Sequence, residues 1–224
     1  MPVSAYTQAT TAPFIAQIDV SARGEVHVSP DRAAIQVSVQ TRAPTAALAA
    51  SENAAKQAAV IQALRKLGLG ADQISTINYS VYPEQRYEAN KEPVVTSYNV
   101  INTISIDVKK LSEVGPVIDA SLKNGANMIT SLQFSASNTE EARRAAIASA
   151  MQKARLDADA AARAGGGTIG ELLEVNIGAY YPPPPRPIAM LRATASADQA
   201  PTPINPGEQT LSVDITTRWR FNAK

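Results

Sequence analysis

Apolar and polar positions begin to alternate at Ile18. Ile18, Val20 and Ala22 lead to Arg23-Gly24, Val26 and Val28 follow, and Pro30-Asp31 breaks the run as a turn does. Ile35, Val37 and Val39 then alternate with Gln36, Ser38 and Gln40, the pattern of a half-buried antiparallel strand. After Pro44 and a capping Thr45 the period changes. Val60, Ile61, Leu64 and Leu67 form a helical apolar arc, and Gly68 supplies a left-handed stop. Ile77, Tyr79 and Val81 alternate with Asn78, Ser80 and Tyr82, and Tyr98, Val100, Ile104 and Ile106 mark a partner strand. The polar stretch from Pro83 to Pro93 between them reads as a long hairpin loop. A short helix over about Lys110 to Asn124 carries Leu111, Val114, Ile118 and Leu122. A strand over Met128 to Ser135 is expected to bury Leu132 and Phe134. Asn138, with Glu141 three residues on, opens the clearest helix, and Gly165 ends it. Leu173, Val175 and Ile177 mark one further strand. Leu211, Val213, Ile215, Thr217, Trp219 and Phe221 form the inner face of the last one.

This order predicts an α+β fold: a mostly antiparallel sheet with about three helices packed on one face. Asp31 to Ser135 runs β-α-β-β-α-β, a ferredoxin-like unit, and a helix and two strands extend it. Val37, Leu64, Ile104, Leu132, Val213 and Trp219 are the expected core. The first and last strands are expected at the sheet's edges. Residues 1–17 read as a flexible N-terminal tail. Residues 18–224 read as one domain, with a Pro-rich excursion at 182–208 that includes Pro182 to Pro185, Pro201, Pro203 and Pro206.

Composition narrows the function classes. The chain has 224 residues, of which 45% are hydrophobic and 18% charged, and its net charge is +1. No basic surplus or dense basic block is present to grip a phosphate backbone, so no nucleic-acid partner is expected. There are 0 Cys, which removes disulfides, thiol nucleophiles and cysteine metal sites. No apolar run of about eighteen residues occurs, so no membrane-spanning helix is expected. Met1 to Gln17 lacks a basic segment followed by an apolar one, so no export leader is read there.

Candidate chemistry is sparse. His27 is the sole histidine and reads as an ordinary strand residue, with no second His or Cys to complete a dyad. Gly165, Gly167 and Gly170 match G-x-G-x-x-G, but the dinucleotide reading needs a strand before and a helix after. Here the order is reversed, so the glycines read as a helix stop and turn. Asp157 and Asp159 diverge on their helix. Glu84, Glu88 and Glu92 read as a solvated loop rather than a metal site. No catalytic, cofactor-binding or metal-ligating residue is assigned, and no cofactor is expected. Among the aromatics, Tyr79 and Tyr98 read as sheet packing, while Tyr82, Tyr87, Tyr180 and Tyr181 are the candidate interaction residues.

The order and spacing of several short pieces resemble the SIMPL-domain family, of the periplasmic oxidative-stress-defence and periplasmic immunogenic type. The pieces are Val20-Ser21-Ala22-Arg23-Gly24-Glu25-Val26 with Pro30-Asp31, Ile77 to Pro83, Tyr98 to Asn102, Gly125-Ala126-Asn127, Ala142 to Ala146, and Pro206-Gly207-Glu208-Gln209. Ser21 and Arg23 stand where many members carry glycines or other small residues. The resemblance implies an exported, periplasmic protein with its leader removed, ring-like self-assembly in some members, and a link to stress tolerance. It supplies no catalytic residues. The expected function is that of a non-catalytic, self-assembling homo-oligomer. The alternative is a ligand- or peptide-binding module that uses the Tyr/Pro-rich segment, its ligand unidentified.

Overall fold

The computed structural model describes residues 15–87, 89–90, 92–178 and 204–224. The expected tail lies outside these residues except for its last three, and the Pro-rich excursion lies outside except for 204–208. In chain order the elements are β1 (Gln17–Val28), β2 (Arg32–Ala43), α1 (Ala46–Lys66), β3 (Ile74–Arg86), β4 (Val94–Val108), α2 (Val114–Lys123), β5 (Met128–Ser135), α3 (Thr139–Ala164), β6 (Gly167–Ile177) and β7 (Gln209–Ala223). They form two compact units. One holds residues 28–138 and 204–209; the other holds 15–27, 139–178 and 210–224. The fold is α+β with three helices. The strands divide between two antiparallel sheets, four in one and three in the other, where element order predicted one sheet. Alternation reveals which face of a strand is buried. It carries no information about which strands pair.

In the first unit the sheet order is β3-β4-β2-β5, with β2–β4, β2–β5 and β3–β4 all antiparallel. Counted from β2, that is the 4-1-3-2 order of a ferredoxin-like unit, as the β-α-β-β-α-β succession predicted. Ile35, Val37 and Val39 of β2 and Ile104, Ile106 and Val108 of β4 face one core. Val60 and Leu64 of α1 and Val114, Val117 and Ile118 of α2 join them there. Thr45 caps α1, its side chain accepting from the Leu48 N–H, and Gly68 leaves the helix at φ +94. Leu132 was expected in the core but is half-buried, because it sits on β5, an edge strand. Leu67, on the cap of α1, and Leu122 are exposed.

The β3–β4 hairpin is longer than its sequence suggested. β3 continues through Pro83, which pairs with Tyr98, and ends at Arg86, with β4 starting at Val94. Proline is tolerated because β3 is an edge and its missing donor faces away from the ladder. A register shift between Thr76 and Asn78 inserts Ile77 as an extra residue.

In the second unit the order is β1-β7-β6, so the last strand lies in the centre and β1 and β6 form the edges. Leu211, Val213, Ile215, Thr217 and Trp219 are buried on one face of β7, with Asp214, Thr216 and Arg220 exposed on the other. Trp219 and Val213 share a face, as the alternation required. The Trp219 indole donates to Thr217 Oγ1 at 2.9 Å, which satisfies its N–H. The buried row of α3 is Ala142, Ala146, Ala150, Ala154, Ala158 and Ala162, all alanine and four apart. Side chains this small let the helix backbone approach the sheet. A Cβ on Gly24 of β1 would sit 1.9 Å from the Ala146 carbonyl oxygen.

Candidate functional site

The base of the β3–β4 hairpin gathers polar side chains from three strands. Arg42 on β2 and Tyr82 on β3 both pair with Asn99 of β4, so the three share a row on the sheet face opposite the helices. Arg42 Nε donates to Ser97 Oγ at 2.7 Å, and Arg42 Nη2 lies 2.5 Å from Glu84 Oε2. Ser97 Oγ donates to the same carboxylate oxygen at 2.9 Å, and Asn99 Nδ2 donates to Glu84 Oε1 at 3.4 Å. Ser97 and Asn99 are buried, and Asn99 Oδ1 has no partner in the protein. The cluster is charge-balanced and its members neutralise one another.

Two of the four candidate tyrosines frame this cluster. Tyr82 is 40% exposed, and Tyr87, just past the end of β3, is 75% exposed with its hydroxyl donating to Gln85 Oε1 at 3.0 Å. Tyr180 and Tyr181 lie outside the described residues. Tyr79 was read as sheet packing but is 53% exposed, because neither helix covers the edge strand β3 at that point; Tyr98 is partly buried against Ala43, Ala49 and Val100. Glu84 was grouped with Glu88 and Glu92. It is drawn instead into the Arg42 ion pair, while Glu92 is exposed and Glu88 lies outside the described residues.

In the β1-β7-β6 unit the polar sheet face carries cross-strand ion pairs. Arg23 grips Asp214 with two bonds of 2.7 and 2.9 Å. Arg218 lies 2.8 Å from Asp19 on one side and 2.6 Å from Glu174 on the other, and Arg220 lies 2.6 Å from Glu171. The Arg23 hydrogen bond holds the Asp214 carboxyl below its ordinary range, and the Asp19 hydrogen bond raises Arg218. His27 Nδ1 and Thr210 Oγ1 are 3.3 Å apart. A cleft of about 240 Å³ lies among Gln152, Arg155, Leu156, Asp159 and Ile169. It is smaller than the roughly 300–1,000 Å³ of small-molecule pockets. Gly165 and Gly167 follow α3 and open β6, so the glycines stop a helix and start a strand. Among the described residues, no three His, Asp or Glu side chains converge as metal ligands, and no helix is long and apolar enough to cross a membrane.

The described residues include four edge strands. β3 and β5 flank the four-stranded sheet, and β1 and β6 flank the three-stranded one. Ile77, Tyr79 and Val81 on β3, and Leu172, Leu173, Val175 and Ile177 on β6, are exposed apolar side chains on those edges. Sequence reading missed β3 and β6 as edges and Arg42, Ser97 and Asn99 as a cluster. The cluster joins positions up to 57 apart in sequence, which no local pattern links.

Comparison with known proteins places this architecture. The chain is 34% identical over 220 residues to the 26 kDa periplasmic immunogenic protein of Brucella melitensis, a match covering 93% of this chain and 85% of that protein. It is 32% identical to the Brucella abortus protein of the same name, with the same coverage. It is 25% identical over 222 residues to the uncharacterized protein YggE of Edwardsiella ictaluri, covering 98% of this chain and 92% of that one. The SIMPL family, described as a protein of unknown function (DUF541), matches residues 18–219, and the chain belongs to it.

Proposed function

We propose that this SIMPL-family chain is a non-catalytic, exported protein of the periplasm that works as a homo-oligomer. The observation that carries this reading is its supply of long sheet edges. β3 offers 13 residues and β6 offers 11, each with no strand of the described residues paired along its outer side and with apolar side chains beside it. Such edges pair with other strands unless charge, bulges or a neighbour blocks them. The bulge at Ile77 and the ion pairs around β6 leave Tyr79, Val81, Val175 and Ile177 uncharged and exposed. Pairing β3 or β6 with a second copy buries these groups, and cyclic closure keeps the assembly finite. Periplasmic placement draws support from the two Brucella relatives, whose names carry that location. A link to stress tolerance rests on the family resemblance alone.

Light scattering across a dilution series tests the assembly. A stable multimer is expected, and Val81→Lys or Val175→Lys should shift it toward the monomer, since an edge lysine resists pairing. A sharp monomer mass at all concentrations refutes the reading. Hydrolase, peroxidase and metal-binding screens should be negative; an activity lost in His27→Ala would overturn the non-catalytic half. The second reading is a ligand- or peptide-binding module. The exposure of Tyr82 and Tyr87 beside the Arg42–Glu84 cluster favours it. A monomer stabilised thermally by a small molecule or peptide, with the gain lost in Tyr82→Ala, would put it first.

A further inference from the structure

One face of α1 carries Ala49, Asn53, Gln57, Val60 and Leu64, all buried, at the spacing of a single helical face. Its two ends meet different apolar clusters. Val60 and Leu64 belong to the main core, whereas Ala49 packs with Ala43 and Val100. Asn53 and Gln57 lie between them. Asn53 Nδ2 donates to the Val39 carbonyl at 2.8 Å and to the Val100 carbonyl at 3.4 Å. Asn102 of β4 sits opposite Val39 in the ladder, and Thr41 donates to the Ala49 carbonyl at 2.8 Å. A polar band therefore crosses the interior between two apolar clusters.

That band is short of donors. Asn53 Oδ1, Asn102 Oδ1 and both polar atoms of Gln57 are buried with no partner in the protein. Three of these are carbonyl oxygens; one is an amide nitrogen with two hydrogens. Even if Gln57 Nε2 served both asparagine oxygens, its own carbonyl would lack a donor. Rotating the Asn53 amide only strips the donor from the Val39 carbonyl, and a rotated Asn102 amide paired directly with Gln57 would leave the site dry. A cation could serve the oxygens, but it would offer nothing to the Gln57 N–H and would bury a charge without a counter-ion. Water both donates and accepts, and buried water typically makes about three such bonds.

We propose that the interior beneath α1 is a hydration site, in which ordered water bridges Gln57 to Asn53 and Asn102 and fastens the N-terminal half of the helix to β2 and β4. This rests on the amides alone and is independent of the assembly reading. A high-resolution crystal structure of the full chain tests it directly. Water density is expected within about 2.7–3.2 Å of Gln57 and of at least one of the two asparagines. Amides paired among themselves with no density between them would overturn the proposal. Gln57→Met keeps the volume and removes the bridge, so its melting temperature should fall by about 2–6 °C. An unchanged or higher melting temperature would mean the amide was a dry, unpaired burden, and would also overturn it. Should Gln57→Met fail to fold, the density in the unaltered protein decides.

Discussion

At the scale of single residues, space and hydrogen bonding make sharp demands. Gly24 faces the backbone of α3, and a methyl group there would meet the Ala146 carbonyl oxygen at 1.9 Å and the Ala150 nitrogen at 2.6 Å. Backbone cannot step aside as a flexible side chain can. Gly24→Ala is therefore expected to cost about 3 kcal/mol, seen as a lowered denaturation midpoint. Gly207→Ala, where a Cβ meets nothing within 4 Å, serves as the neutral control. Leu64 is fully buried, and Leu64→Ala should cost about 2–5 kcal/mol. Asp31 accepts from the Ser137 hydroxyl and from the Ser137 N–H, and these bonds hold its carboxyl below the ordinary 3.8. Its folded value lies below its unfolded one. Its contribution is therefore complete above the unfolded value and is lost as pH falls through the folded one. Melting curves recorded from neutral pH down into that range should show Asp31→Asn less stable at neutral pH, with a smaller acid-induced loss than the parent.

Elements reveal where sequence patterning stops being informative. β2 and β7 alternate cleanly and their buried faces emerge as read, down to Val213 and Trp219 on one side. α1 was legible from Thr45, Val60, Leu64 and Gly68. β3 has the same alternation in its residues yet is exposed on both faces, because burial depends on what covers a strand and nothing local encodes that. The placement of β7 between β1 and β6 was hidden for a related reason. Its partner across the ladder is about 195 positions away, as the Ser21–Thr216 contact shows. Of the candidate site, the exposed tyrosines of the hairpin were legible as aromatics near a turn. The Arg42–Glu84–Ser97–Asn99 cluster was not, since it exists only once β2, β3 and β4 are in register. Glu84→Ala should loosen that end of the sheet. It removes the counter-charge of Arg42 and leaves Ser97 and Asn99 short of an acceptor. A loss of about 1 kcal/mol in urea denaturation is expected, the upper end for a partly exposed pair.

On the scale of the whole molecule, the two units differ in how the chain builds them. The four-stranded sheet with α1 and α2 comes from one continuous stretch, 28–138, joined by a short later segment in which Ile204 packs on the core and Gln209 Nε2 donates to the Phe134 carbonyl at 2.5 Å. The three-stranded sheet draws on 15–27, 139–178 and 210–224. A fragment of residues 28–138 is expected to melt cooperatively on its own, which calorimetry can check. A chain lacking the 15 residues of β7 should keep that transition and lose the other, because β1 and β6 would have no strand between them. Order of synthesis gives this arrangement a temporal meaning. β1 is made before the other strands, and its partner β7 only after all of them. Until β7 emerges, β1 is a strand without a ladder, and long-range pairing of this kind is slow and prone to false partners. Folding of the three-stranded unit is therefore gated by β7: the other unit can form from the chain that precedes it, and this one must wait for that strand to arrive.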